Sequence, residues 1–131
     1  MRAILLSILL LLPAGAGAMS PSSRPEGHEP VYVALAPMTV PLFRGSYVEG
    51  SFHLKLRLAV ATAEDKREVE RLLPRLEAGY LEMLGYVARS GVRPGEAVDL
   101  IAIADALQDV TNRVLGHDHA RLLIVESALR R

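Results

Sequence analysis

The most regular pattern in the chain is an alternation of apolar and polar residues from Ser51 to Ala61. Successive side chains of an extended strand point to opposite faces, so the alternation predicts a strand with one buried face. The other face then carries His53, Lys55 and Arg57. A slip of one residue would bury both cations, so the pattern also predicts a firmly set register. The apolar residues of the buried face are Phe52, Leu54, Leu56, Leu58 and Val60.

A second strand region, Val31 to Phe43, precedes this central strand. Pro37 and Pro41 cannot donate backbone hydrogen bonds, so we expect either an edge strand or a strand with a bulge at Pro37. The polar link from Arg44 to Ser46 is short. The two strands are therefore predicted to pair as an antiparallel hairpin.

Two amphipathic helices follow, each with one apolar stripe at helical spacing. Thr62 is placed to cap a first helix that runs to about Ala88, and Pro74 is expected to kink it. Asp99 is placed to cap a second helix, which is predicted to end before Gly116.

The apolar run Leu122–Val125 fits a closing inner strand. The predicted fold class is therefore α+β, with a three-stranded, mainly antiparallel sheet in the order β-β-α-α-β. Both helices are expected to pack on the apolar face of the central strand, because each element has a single apolar side to bury.

The N-terminus has the pattern of an export signal. A short positive start is followed by the apolar run Ala3–Leu12, then Pro13 and small residues up to Ala18. We interpret residues 1–18 as a signal peptide, 19–30 as a disordered linker and 31–131 as the folded domain. The alternative is an uncleaved anchor formed by residues 3–19, which would hold the protein at the inner membrane. Either interpretation places the domain in the periplasm.

Composition excludes several classes of function. The 131 residues contain 15 basic and 15 acidic side chains and no cysteine. Balanced charge argues against nucleic-acid binding. Without cysteine, disulfides and thiolate metal sites are excluded, so the fold must be stabilised without them, by its hydrophobic core.

Catalytic chemistry has no recognisable motif in this sequence. No serine lies in a Gly-x-Ser-x-Gly elbow, and no glycine-rich phosphate loop is present, so we predict no enzyme and no cofactor. His117 and His119 are weak candidates for a metal site, because a His-x-His pair on an extended segment points both rings to one side. A third ligand is not identifiable, and a solvated turn is the simpler interpretation.

Four segments together resemble the FliL family of flagellar basal-body-associated proteins. They are the proline-containing early strand, Val31–Val40; the end of the long alternating strand, Leu58–Ala61; the helical segment from Arg71 to Leu84; and the apolar closing strand, Leu122–Glu126. The resemblance spans about Val31 to Leu129. It implies a periplasmic domain similar to the stomatin and band-7 (SPFH) fold, with protein partners among the flagellar stator or basal-body components.

The resemblance also implies assembly into a ring and a supporting role in motility. Two surfaces are candidates for partner binding: the outer face of the central strand, and the outward side of the first helix with Lys66, Arg67, Glu70 and Arg71. The alternative function is a periplasmic protein that binds a small ligand or a metal.

Overall fold

The computed structural model describes residues 29–90 and 92–131. Within them, a four-stranded antiparallel sheet packs against two helices. The predicted α+β class is confirmed, with both predicted helices and the closing strand in the predicted order. The predicted signal peptide and most of the predicted linker lie outside the described residues. The elements are β1 (Val31–Ala34), β2 (Met38–Arg44), β3 (Tyr47–Val60), α1 (Ala63–Ser90), α2 (Leu100–Leu115) and β4 (Ala120–Arg130).

The sheet has four strands rather than three because the first predicted strand is divided. β1 pairs with the end of β3, and β2 pairs with its beginning, along the same edge. The break falls at Pro37, which has no N–H to continue the ladder. Leu35 still donates a backbone hydrogen bond to the Leu56 carbonyl at 3.2 Å. The sheet is therefore three strands wide, with a divided strand on one side of β3 and β4 on the other.

The strand β3 has the predicted register. Its five alternating apolar residues are at most 2% exposed and form the centre of the core. The hairpin to β2 closes through two residues, and Gly45 has a φ of 59°. A glycine at the first position of such a turn is typical of the type II′ hairpin, whose twist matches that of the strands.

Helix α1 begins where its cap is predicted. The Thr62 hydroxyl accepts a hydrogen bond from the Asp65 amide at 3.1 Å. The helix continues through Pro74 to Ser90, slightly beyond the predicted end. Its apolar stripe faces the sheet, with Val69, Leu76, Tyr80, Leu84 and Ala88 buried.

Helix α2 has caps at both ends. The Asp99 carboxylate accepts from the Ala102 amide at 3.0 Å, and Gly116 has a left-handed φ of 78°. The two helices approach closely at Gly79, where an added Cβ would lie 2.7 Å from Val110 Cγ1. In the part of the chain described here, neither helix is long and apolar enough to span a membrane.

Candidate interaction surface

Both helices pack on one side of the sheet, and in residues 29–90 and 92–131 no element covers the other side. We define the outer face as the polar side of β3 and the residues paired with it. Cross-strand partners share a face, so the register identifies the members. They are Ser51, His53, Lys55, Arg57 and Ala59 of β3; Tyr32, Ala34, Thr39 and Pro41 of β1 and β2; and Arg121, Leu123, Glu126, Ala128 and Arg130 of β4.

The outer face is strongly basic although the chain is neutral. It contains four cations, Lys55, Arg57, Arg121 and Arg130, against the single carboxylate of Glu126. Glu126 lies 3.5 Å from Lys55, and both side chains are more than half exposed. An exposed pair of this kind contributes little stability and leaves both groups free to exchange partners. The surface therefore favours an acidic partner.

Arg57 packs against its neighbours on the outer face. Its guanidinium carbon lies 4.2 Å from the centre of the Tyr32 ring, which is a cation–π geometry. Leu123 is its partner on β4. The Nε atom is buried and has no hydrogen-bond partner among the described residues. A buried donor without an acceptor is costly, and a carboxylate is the acceptor that best matches a guanidinium.

His53 is fixed by hydroxyl groups on both sides of its ring. Thr39 Oγ1 lies 2.9 Å from Nδ1, and Ser51 Oγ lies 2.8 Å from Nε2. Because a hydroxyl can donate or accept, either neutral tautomer satisfies both contacts. His53 is therefore positioned as part of the surface, with both ring nitrogens already engaged.

A hollow of about 150 Å³ opens in the outer face where the divided strand leaves a gap beside Lys55. Pro37 forms one wall, because the chain leaves the ladder there. The hollow is the size of a side chain rather than of a cofactor, and its charged groups are mostly basic. It is lined by Pro37, His53, Leu54, Lys55, Glu126 and Arg130.

The predicted surface on α1 lies on the opposite side of the domain from the outer face. Lys66 and Glu70 form an i,i+4 pair at 3.8 Å, while Arg67 and Arg71 are exposed. Pairs of this kind contribute a few tenths of a kcal/mol, on the order of 0.3–0.5. The structure therefore does not bring the two predicted surfaces together.

The weak candidates for a metal site, His117 and His119, lie in the turn between α2 and β4. His117 Nε2 donates to Glu68 Oε1 at 3.0 Å, and His117 Nδ1 accepts from the His119 amide at 3.1 Å. The two rings lie 4.3 Å apart and His119 is exposed. Both nitrogens of His117 are thus engaged, and the described part of the chain contains no group of three or more residues able to hold a metal ion. The contact between His117 and Glu68 was not predicted from the sequence, because the two residues lie 49 positions apart.

Two apolar surfaces were not predicted from the sequence. Phe43, Tyr47 and Val48 are at least half exposed at the tip of the β2–β3 hairpin. A groove of about 490 Å³ runs between α1 and α2 over the close approach at Gly79. The groove is lined by Gly79, Glu82, Met83, Tyr86, Val110, Arg113 and Val114.

No family model matches this chain, and no curated protein shows significant similarity to it. The resemblance to the FliL family stays a prediction, and it rests on the four segments named above. These segments form β1 with the start of β2, the end of β3, the middle of α1 and the first half of β4.

Proposed function

We propose that this protein is a non-catalytic interaction protein of the cell envelope, and that it binds an acidic surface of a partner protein through the outer face. The observation that supports this most directly is the concentration of cations on an uncovered sheet face in a neutral chain. Complementary charge steers association and selects partners more than it raises affinity. The outer face is therefore suited to a specific contact.

The environment of Arg57 supports a bound partner carboxylate. Its guanidinium already lies over the Tyr32 ring, so little side-chain freedom is lost on binding. A carboxylate of the partner can accept two parallel hydrogen bonds from a guanidinium, which makes it the acidic group that best matches Arg57. The adjacent hollow beside Lys55 has room for a second acidic side chain of the same partner.

The cellular role in this proposal comes from the resemblance to the FliL family. The partner is then a stator or basal-body component of the flagellum, and the protein supports motility from the periplasm. The predicted export signal is consistent with that location. Assembly into a ring stays a prediction from the resemblance.

The proposal is tested by reversing charge on one side of the domain at a time. Lys55→Glu should reduce recovery of basal-body or stator proteins in a pull-down, and should reduce swimming in viscous medium as gene deletion does. Lys66→Glu, on α1, is the matched control and should leave both unchanged. Arg57→Lys keeps the charge but loses the planar contact with Tyr32, so it should give an intermediate loss.

Two results would overturn the flagellar role: normal motility after gene deletion, and a pull-down without stator or basal-body proteins. Equal effects of Lys55→Glu and Lys66→Glu would instead overturn the assignment to the outer face. Circular dichroism of each variant separates a lost contact from a lost fold.

The groove between α1 and α2 supports a second candidate function, the binding of a small ligand. Its volume of about 490 Å³ falls within the usual range of ligand sites, and Val110 and Met83 give it an apolar lining. Native mass spectrometry of protein from the periplasm would show a bound molecule, which Met83→Trp should displace by filling the groove. Zinc that survives purification and is lost on replacing His117 and His119 would favour a metal-binding protein instead.

A further inference from the structure

The two edges of the sheet differ in how open they are to another strand. On one edge, the divided strand carries Pro37 and Pro41, which cannot donate to a neighbour. On the other edge, β4 is 11 residues long and pairs only with β3 within the described residues. A long unpaired edge presents a row of backbone donors and acceptors to another chain.

The first part of this edge is already occupied by a side chain. The Gln108 amide donates to the Ala120 carbonyl at 2.8 Å and accepts from the Leu122 amide at 2.8 Å. A side-chain amide thus replaces one unit of a neighbouring strand. These bonds also show that the backbone groups of Ala120 and Leu122 point away from β3.

This contact also shows which residues further along β4 have backbone groups that point to the open edge. Backbone groups of alternate residues point to the same edge of an antiparallel strand. The register shift between Lys55 and Leu56 leaves Val125 as an extra residue on β4. Beyond this bulge, the residues whose backbone groups point away from β3 are therefore the odd-numbered ones rather than the even-numbered ones. Ser127 and Leu129 are therefore the residues whose N–H and C=O groups point to the open edge.

We infer that β4 pairs antiparallel with β4 of a second copy of this chain, about a two-fold axis at Ala128. This axis pairs Ser127 with Leu129 of the second copy, and both residues have outward backbone groups. It also places Glu126 opposite Arg130 of the second copy, and Arg130 opposite Glu126. Both lie on the outer face, so the axis forms two ion pairs from one strand.

The charges favour a two-fold axis at Ala128 over an axis at an adjacent residue. An axis at Ser127 would place Glu126 opposite Ala128 and leave Arg130 without a carboxylate. The inner side of the same segment adds apolar area, because Leu129 and Leu100 line a hollow of about 260 Å³ and are 37% and 36% exposed. A second copy would extend the sheet and cover these side chains. This dimer does not depend on the partner proposed above.

A single cysteine tests the axis directly, because the chain has none of its own. Ala128→Cys should form a disulfide-linked dimer on mild oxidation, since the two residues face each other across the axis. Arg121→Cys lies on the same face of β4 but far from its mate in this arrangement, and should stay monomeric. Equal cross-linking of the two variants would overturn the inference, as would cross-linking at position 128 only to a different protein.

Charge reversal tests the register of the dimer without an added cysteine. Sedimentation velocity over a range of concentrations measures the dimer affinity of each variant. Glu126→Arg or Arg130→Glu alone should weaken the dimer by about tenfold, because both ion pairs become repulsive contacts. The double variant Glu126→Arg with Arg130→Glu should restore the affinity, while Arg121→Glu should not change it. A monomer at every concentration, or a double variant no better than the single ones, would overturn the inference.

Discussion

The hydroxyl oxygens of Tyr80 and Thr111 lie 2.6 Å apart and join α1 to α2 inside the core. Both residues are fully buried. Thr111 donates its own proton to the Leu107 carbonyl at 2.9 Å, so it accepts from Tyr80. The two helices therefore share an ordered polar contact within an otherwise apolar layer, and its direction determines what each substitution should cost.

Tyr80→Phe should lower the free energy of unfolding by about 1 kcal/mol, the typical net value of one hydrogen bond. Thr111→Val should cost more, about 1–3 kcal/mol, because it leaves the Tyr80 hydroxyl buried without an acceptor. Urea denaturation of both variants measures the two values. The double variant should recover part of the Thr111→Val loss, and a larger cost for Tyr80→Phe would contradict the donor assignment.

Alkaline pH should destabilise the protein through the same tyrosine. Burial raises the pKa of Tyr80 to about 12 from its usual value of 10.0. Between these values the unfolded chain releases the proton first, so stability is retained below pH 10 and falls as pH rises towards 12. The loss by pH 12 should be up to about 3 kcal/mol. Denaturation at pH 9, 10 and 11 should show this slope, and Tyr80→Phe should flatten it.

Gly79 and Gly85 form a matched pair on α1. Gly79→Ala should destabilise the protein by about 1 kcal/mol, since the clash with the stiff Val110 side chain exceeds the gain in helix propensity. At Gly85 the nearest atom to an added Cβ is Arg89 Nη1 at 3.5 Å, so Gly85→Ala should stabilise it by about 0.5–1 kcal/mol. Thermal unfolding measures the stability of both variants. In a Val110→Ala background, Gly79→Ala should no longer destabilise the protein. Equal effects at both glycines would mean that the helices are not in close contact.

Leu56→Asp should cost at least about 4 kcal/mol, because it removes apolar burial and places a charge in the core. Leu56 is 1% exposed at the centre of β3. The neighbouring Lys55→Gln lies on the outer face and should change stability by less than about 0.5 kcal/mol. Chemical denaturation of the two variants tests the register, which a similar cost at both positions would contradict.

The alternation in β3 was enough to predict its buried face, because an extended chain has a period of two and five large apolar residues share one side. The caps at Thr62 and Asp99 were also predictable, since each depends on bonds within three residues. The division of the first strand was only suggested by Pro37. The continuation of its pairing at Leu35 depends on Leu56 of β3, which lies 21 positions further along the chain.

The contacts of the candidate surface were less accessible from sequence. The stacking of Arg57 on Tyr32 depends on how two strands are aligned, and no local pattern encodes that diagonal contact. The bond between His117 and Glu68 joins a turn to a helix 49 positions away. The Gln108 amide on the edge of β4 likewise requires the helix and the strand to be placed first.

The position of β3 between the divided strand and β4 has a consequence for the order of folding. The hairpin with β2 involves residues that are close in the chain, while β4 begins 60 residues after β3 ends at Val60. Pairings between distant segments form slowly, because a long loop must close before they contribute. α2 and β4 are synthesised after β3, so until β4 emerges one edge of β3 lacks its partner strand. A nascent chain of this protein therefore depends on β4 to complete the sheet, and it is most prone to aggregation in the interval before β4 emerges.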